Sequence, residues 1–78
     1  MIYAVVLVNT EIGSQTKVAE KVKRVEGVEE AHALYGVYDL LIKIKAKSID
    51  KLREIIKLKI RQTIGVTTSV TLIIVNPP

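Results

Sequence analysis

Few side chains in this sequence have the type and spacing that catalysis or metal binding requires. The one histidine, His32, lies in the middle of a predicted strand, with no second histidine to complete a metal triad. Glu29 and Glu30 are adjacent, so a regular strand would point their carboxylates to opposite faces, and Asp39 has no acidic residue within four positions. The hydroxyls near the C-terminus have no base at motif spacing. We therefore predict no enzyme activity, no metal site and no cofactor.

Phosphate and nucleic-acid recognition also lack their usual motifs. The four glycines, at positions 13, 27, 36 and 65, are isolated and form no glycine-rich phosphate loop. Base stacking on a sheet needs aromatic side chains on central strands, and only Tyr3 meets that condition. The net charge of +4 divides into −2 over residues 1–39 and +6 over residues 40–78, which we interpret as a solvated surface. We therefore expect no direct contact with nucleic acid.

Length and composition restrict the remaining possibilities. The 78 residues are expected to form one domain, residues 1–78, and a core of that size is marginal without a disulfide, a metal or a partner. The absence of cysteine excludes disulfides and suits a reducing cytoplasm. The longest apolar run, residues 1–8, is too short to span a membrane, so none is expected as a partner. Abundant Ile, Val, Lys and Glu hint at a heat-adapted source. Oligomerisation is the expected source of additional stability.

Four strands are predicted from runs of aliphatic and β-branched residues. The first spans residues 2–8, and the last spans residues 66–75, where Pro77-Pro78 ends it. Residues 28–35 and 40–46 alternate between apolar and polar side chains, which is typical of a hairpin of two half-buried strands.

Two amphipathic helices are predicted between these strands. One begins near Ser14, and the other is N-capped by Ser48 and closed by Gly65. Gly27-Val28 and Gly65-Val66 follow the two helices 38 positions apart, so the halves of the chain repeat. Right-handed crossovers then place both helices on one face of a four-stranded antiparallel sheet. The sequence predicts an α+β, ferredoxin-like split βαβ (βαββαβ) fold. The apolar stripes of the helices are Val18, Val22 and Val25 in the first, and Leu52, Ile55, Ile56 and Ile60 in the second.

The face of the sheet without helices is predicted to be covered by a second copy of the chain. Both sides of the first strand are apolar, and so are both sides of the last strand beyond Thr71, so one apolar set stays exposed whichever side meets the helices. We therefore expect a sheet-to-sheet dimer. Lys43 and Lys45 argue against it unless they reach the rim or pair with acids across the interface. The two sets on the first strand are Tyr3, Val5 and Leu7, and Ile2, Ala4, Val6 and Val8.

The segment Gly36-Val37-Tyr38-Asp39 carries the strongest motif. Its local chemistry alone predicts a turn in which Gly36 has a positive φ, a tyrosine covers the sheet edge and Asp39 bonds its own backbone. Followed at once by the aliphatic run 40–44, it resembles the Gly-x-Tyr-Asp motif of the Lrp/AsnC ligand-binding (RAM) domain. Gly65-Val66 followed by Ser69-Val70-Thr71 is similar to that family's Gly-Val and Thr-x-Thr. The resemblance extends from residue 5 to residue 75.

The resemblance implies a stand-alone effector-binding module in transcriptional regulation of amino-acid metabolism, without the family's helix-turn-helix domain. It implies dimers that join into rings of eight or ten, and possible co-assembly with full-length relatives.

By the same resemblance, an amino acid binds where dimers meet. Backbone N–H groups of Gly36, Val37 and Tyr38 would receive its carboxylate, and Asp39 would balance its ammonium. Hydroxyls of Ser69 and Thr71 would complete the site. Val37 stands where the family often has an acid, which argues against a strongly basic ligand, and Ser69 replaces the first threonine of the family's pair.

Three alternatives remain open from the sequence. The chain could be a structural partner that co-assembles with helix-turn-helix relatives and binds no ligand. It could be a small dimeric ferredoxin-like enzyme, such as a cofactor-free monooxygenase, although no polar cluster supports one. It could also be an ACT-type amino-acid-binding domain, which has the same strand order.

Overall fold

The computed structural model describes residues 1–75 and shows the predicted split βαβ architecture. The four strands are β1 (Ile2–Thr10), β2 (Val28–Ala33), β3 (Leu40–Ala46) and β4 (Val66–Ile74). They pair antiparallel in the order β2-β3-β1-β4, so the strands predicted to form a hairpin lie side by side and β4 is an edge strand. The prediction of an α+β, ferredoxin-like fold is confirmed. Pro77-Pro78 lie outside the described residues. The helical elements are α1 (Gln15–Lys23), α2 (Ile49–Ile55) and a π-helical turn (Ile56–Ile60).

The core lies between the two helices and one face of the sheet. On β1 the set that meets the helices is Ala4, Val6 and Val8, and each of these side chains is fully buried. Their cross-strand neighbours on β3 are buried with them. The opposite set is only partly buried, so the helices select one of two apolar faces. The other buried members are Val18, Ala19, Val22, Ala31, Leu40, Ile42, Ile44, Ala46, Leu52, Ile56 and Ile60.

The second helix begins at the predicted residue but does not continue as one regular helix to Gly65. The Ser48 side chain accepts a hydrogen bond from the Lys51 N–H at 3.1 Å, which confirms the N-cap. After Ile55 the helix widens into a π turn, in which the N–H of Arg61 donates to the carbonyl of Ile56 at 2.9 Å. The prediction of one continuous helix up to Gly65 is therefore wrong, because the local pattern does not specify where a helix widens.

Gly65 has a structural role beyond ending the helix. Its φ is +102°, which side chains rarely adopt, and a Cβ placed there would lie 2.8 Å from Cγ2 of Val18 and 3.3 Å from Cβ of Ser14. The carbonyl of Gly65 also accepts from the N–H of Glu11 at 2.8 Å. The start of β4 is therefore packed directly against the beginning of α1.

A bulge in β2 places two glutamates on the same face of the sheet. The register of β2 with β3 shifts between Val28 and Glu30, so adjacent side chains there do not alternate between the two faces of the sheet. Glu29 lies 3.3 Å from Lys45, and Glu30 lies 3.9 Å from Lys43, measured between carboxylate oxygen and Nζ. The prediction that the two carboxylates point to opposite faces is wrong. The two lysines that argued against a sheet-to-sheet dimer have partners within their own chain.

The face of the sheet opposite the helices divides into a charged half and an apolar half. The charged half lies on β2 and β3 and includes the ion pairs just described. The apolar half, here called the apolar face, lies on β1 and β4, where the register places Val5 opposite Leu72 and Leu7 opposite Val70. Leu72 is 52% exposed. The full membership of the apolar face is Tyr3, Val5, Leu7, Val70, Leu72 and Ile74.

Candidate functional site

The predicted ligand segment, residues 36–39, belongs to a loop of residues 34–39 that connects β2 and β3 at one end of the sheet. It closes through a hydrogen bond from the N–H of Leu34 to the carbonyl of Asp39 at 2.8 Å. Tyr35, Gly36 and Val37 at its tip are exposed, whereas Tyr38 is half-buried. The loop is therefore anchored at its base and open at its tip.

Gly36 does not have the positive φ that the motif alone predicts. Positive φ values among the glycines occur at positions 13, 27 and 65. A Cβ built at Gly36 would meet nothing within 4 Å. The fold of this chain therefore gives no conformational or packing reason for glycine at this position.

The tip of the loop presents backbone donors to its surroundings. Within residues 1–75, no hydrogen bond occupies the N–H groups of Gly36, Val37 or Tyr38. Successive backbone N–H groups of this kind can receive an anion, provided that the backbone is open to approach. The tip meets that condition because its residues are exposed and one of them has no side chain.

The Asp39 side chain ties the loop to the end of β1. Its Oδ2 accepts from the backbone N–H of Thr10 at 2.7 Å and from the Thr10 hydroxyl at 3.3 Å. The expectation that Asp39 bonds its own backbone is wrong, because the chain folds this carboxylate onto a neighbouring strand. In the described part of the chain both side-chain hydrogen bonds go to Oδ2, and Oδ1 accepts none.

Gln15, in the first turn of α1, also holds the loop, and the sequence interpretation missed this residue. Its Nε2 donates to the carbonyl of Leu34 at 3.0 Å and to the carbonyl of Asp39 at 2.7 Å. The two acceptors are the two ends of the loop. A glutamine in the first turn of a helix gives no sequence signal for this role, because its partners are 19 and 24 residues away along the chain.

The predicted hydroxyls of Ser69 and Thr71 lie on the helix side of β4. The register places Ser69 opposite Val8 and Thr71 opposite Val6. Val8 in turn pairs with Leu40, so Ser69 is level with the base of the loop but two strands away, at about 10 Å. Within one chain, the structure therefore does not bring the hydroxyls of Ser69 and Thr71 into contact with the loop.

A small polar hollow adjoins Ser69. Its volume is about 330 Å³, and it is lined by Arg61, Val66, Thr67, Thr68 and Ser69. Arg61 belongs to the basic half of the chain, residues 40–78, whose charge we interpreted from the sequence as a solvated surface. The structure places Arg61 in the wall of this hollow, together with the three hydroxyl residues near the start of β4.

A larger hollow, of about 700 Å³, lies at the opposite end of the sheet near the beginning of α2. Its wall combines apolar side chains such as Leu58 with the charged pair Lys51 and Glu54, whose Nζ and Oε2 are 3.8 Å apart. None of the six predicted ligand residues lines it. It is therefore separate from the predicted site.

His32 forms a surface contact with Glu30. Its Nε2 lies 2.8 Å from Oε1 of Glu30, and both side chains are exposed. The hydrogen bond from His32 lowers the pKa of Glu30 below its ordinary value of 4.5, with a further contribution from the charge of Lys43. In the described part of the chain, no group of three or more acidic or histidine side chains could hold a metal ion. Nor does any helix in residues 1–75 have the length and apolar character to cross a bilayer.

Comparison with known proteins identifies relatives among regulators. A family model described as the Lrp/AsnC ligand binding domain matches residues 3–78. The chain is 37% identical over 60 residues to an uncharacterized HTH-type transcriptional regulator of Pyrococcus horikoshii, a match that spans 77% of this chain and 40% of that protein. It is also 35% identical over 61 residues to homocitrate synthase of Saccharolobus islandicus, of which the match covers only 13%.

Solved structures share the fold over almost the whole chain. FFRP-DM1 superposes with a TM-score of 0.92 at 32% identity, covering 96% of this chain and 100% of that one. A transcriptional regulator of Neisseria meningitidis, solved as a complex with L-Met, superposes with a TM-score of 0.84 at 16% identity, covering 96% of this chain and 50% of that one. Together with the match over residues 3–78, these findings show that the chain belongs to the Lrp/AsnC ligand-binding domain family.

Proposed function

We propose that residues 1–78 act as a single module that binds an amino-acid effector and oligomerises in the transcriptional regulation of amino-acid metabolism. Membership of the Lrp/AsnC family supports a regulatory, effector-binding role rather than a catalytic one. The observation that carries the assignment of the site is the exposed loop tip, with its three unoccupied N–H groups at residues 36–38. We propose that the chain functions in the cytoplasm, and that it does not itself contact DNA.

The loop supplies complementary groups for the two charges of an amino acid. The N–H groups of Gly36, Val37 and Tyr38 are suited to a carboxylate, and Oδ1 of Asp39 is suited to an ammonium. Gln15 and Thr10 hold the loop in place before any ligand arrives. A preorganised loop avoids the entropic cost of ordering it on binding.

The hydroxyls of Ser69 and Thr71 would come from a neighbouring copy. Ser69 is about 10 Å from the base of the loop in its own chain, so its hydroxyl does not contact that loop. A site completed by two copies links ligand binding to assembly, because a ligand that binds only the assembled form favours that form. The Neisseria regulator, whose fold is similar, was solved as a complex with the amino acid L-Met.

The apolar face supports dimerisation through the sheets. It is a contiguous surface of six aliphatic or aromatic side chains on two neighbouring strands, and an exposed patch of this kind marks an interaction surface. The lysines beside it are neutralised by Glu29 and Glu30 of the same chain, so a partner need not supply acids. We propose that such dimers join into larger rings of eight or ten copies.

The site is tested by titrating the protein with each of the twenty amino acids in a calorimeter, followed by variants with the amino acid that binds. Asp39→Asn keeps an oxygen that can accept from the Thr10 N–H but removes the charge that balances the ammonium. We expect affinity to fall about ten- to a hundredfold, since a hydrogen bond to a charged group contributes about 1.5–3 kcal/mol. Asp50→Asn makes the same charge change in the exposed first turn of α2 and should leave affinity unchanged. Equal affinity in the wild type and in Asp39→Asn would contradict the role of Asp39.

A second function is a structural partner that co-assembles with full-length relatives and binds no ligand. The apolar face favours it, because sheet pairing through aliphatic side chains needs no small molecule. Co-expression with a helix-turn-helix relative tests it. Mixed oligomers, in a protein that gives no heat with any amino acid, would favour this function over the first.

A further inference from the structure

Arg61, which lines the hollow beside Ser69, has no acidic partner in the described part of the chain. Among residues 1–75, no carboxylate lies within 4.0 Å of a nitrogen of Arg61. The other lining residues are Val66 and three consecutive hydroxyl residues, and no acid is among them. One positive charge therefore stands beside hydroxyl groups in a concave space, which is an arrangement that favours an anion.

The hydroxyls of this hollow are available to a ligand. The Thr68 hydroxyl accepts from Nδ2 of Asn9 at 3.2 Å, and its own proton remains free to donate. In the described part of the chain, no side-chain hydrogen bond engages the hydroxyls of Thr67 or Ser69. The hydroxyls of Thr67 and Ser69 are therefore free to donate beside Arg61, whereas that of Thr68 faces Asn9, on the opposite side of the sheet from Ser69.

Arg61 is held at this position by an unusual helix end. The π turn closes with the bond from the Arg61 N–H to the carbonyl of Ile56, and the Thr63 hydroxyl donates to the carbonyl of Lys59 at 2.6 Å just beyond it. Single π turns inside helices occur frequently at functional sites. The N–H of Val66, the first residue of β4, donates to the carbonyl of Thr63 at 3.2 Å and connects this helix end with the strand.

The charge count of the hollow favours a carboxylate. A planar guanidinium can bond both oxygens of a carboxylate, and one positive charge matches one negative charge. A phosphate carries close to two negative charges at neutral pH and would need a further cation, which the lining residues do not supply. The volume of about 330 Å³ is sufficient for a side chain that ends in a carboxylate.

We propose that this hollow binds the side-chain carboxylate of the effector, and that the effector is therefore an acidic amino acid. The inference rests on the proposed function, in which Ser69 already belongs to the effector site. In this arrangement the loop of one copy holds the backbone charges of the effector. Arg61 of the neighbouring copy, beside Ser69, holds the second carboxylate. Arg61 is then the residue that determines specificity.

Calorimetric titration of the full chain with aspartate, glutamate, asparagine, glutamine and leucine tests this proposal. We expect an acidic amino acid to bind about ten- to a hundredfold more tightly than its own amide, because the amide lacks the carboxylate that makes a charge-assisted hydrogen bond with the guanidinium. Arg61→Gln should abolish that ratio while the affinity for the amide stays unchanged. Arg61→Lys should keep part of the ratio, since it keeps the charge but not the planar fork. Lys57→Gln removes one charge from the same π turn without touching the hollow, and should preserve the ratio.

The outcomes separate this proposal from the one on which it rests. Tighter binding of a neutral amino acid, or an unchanged ratio in Arg61→Gln, would overturn the role of Arg61 and leave effector binding intact. The absence of heat with all five compounds in the wild type, and with the other amino acids, would overturn both. An exposed arginine without an ion pair contributes little to folding, so an unchanged melting temperature is expected for each variant and checks that it is folded.

Discussion

Truncation of one side chain on the apolar face should weaken a sheet-to-sheet dimer by a calculable amount. Leu72 is 52% exposed in the single chain, so about half of its side chain remains for a partner to cover. Complete burial of a leucine contributes about 1.5–3 kcal/mol, and half of that is about 1 kcal/mol. A two-fold interface contains the residue twice, so Leu72→Ala should cost about 2 kcal/mol of dimerisation free energy, or about thirtyfold in the dissociation constant.

The matched control is the next residue along the same strand. Ile73 is 38% exposed, but it lies opposite Ala4 on the helix side of the sheet, away from the apolar face. Ile73→Ala should therefore leave the dimer constant within about twofold, which is less than 0.5 kcal/mol. Sedimentation velocity over a dilution series measures both constants, and circular dichroism checks that both variants keep the fold.

Two results would refute the assignment of this face. If Leu72→Ala dimerises as tightly as the wild type, the apolar face is not the interface. If Ile73→Ala loses as much affinity as Leu72→Ala, the effect comes from general weakening of the edge strand and not from one face of it. Comparing Leu72→Ala with Ile73→Ala distinguishes the two faces of β4, because the two side chains are adjacent in sequence and similar in size.

The remaining predictions concern local features of the fold. Gly65→Ala should lower the free energy of unfolding by about 2–4 kcal/mol, because alanine would have to adopt a positive φ and its Cβ would lie 2.8 Å from Cγ2 of Val18. Gly36→Ala should leave the free energy of unfolding unchanged or raise it slightly, because its Cβ would meet nothing within 4 Å. A denaturant titration measures both. The reverse order of stabilities would contradict the geometry. His32→Ala should raise the pKa of Glu30 towards its ordinary value of 4.5, and carbon NMR of the Glu30 carboxyl group measures this change. The folded-state pKa of Glu30 is lower than its unfolded-state pKa. The contact with His32 therefore stabilises the fold above the unfolded-state pKa, and this stabilisation is lost as the pH falls through the folded-state pKa. An unmoved pKa would show that another group causes the shift. Ser48→Ala should cost about 1 kcal/mol through loss of the cap, measured by thermal melting, and Ser48→Asp should restore it.

Local sequence patterns were sufficient for the elements and their order. β-branched runs, two apolar stripes and a serine at the start of α2 each depend on neighbours within a few residues. The elements were recovered, except that Val25, predicted in the stripe of the first helix, lies beyond the end of α1 at Lys23. The two-fold repeat of Gly-Val after each helix then led to the split βαβ topology, because the handedness of crossovers leaves few other arrangements. These features are local or follow from general rules of chain connection.

The errors have a common physical origin in contacts between distant segments. The bulge in β2 turns Glu29 and Glu30 to one face because the strand must stay in register with β3, which adjacent residues cannot reveal. The roles of Asp39 and Gln15 depend on partners in other elements. Arg61 joins Ser69 only because the helix that carries it ends beside the start of β4.

The sequence by itself determined the fold class, the amphipathic helices and the two segments that resemble the family's ligand site, since all of these are recorded in residue type and spacing. It could not determine which side of the sheet meets the helices, because both sides of β1 are apolar and hydrophobicity does not distinguish them. Only the tertiary structure decided that choice, by packing Ala4, Val6 and Val8 under the helices. The same choice exposes the apolar face and places Ser69 on the helix side of β4, where it lines the hollow with Arg61.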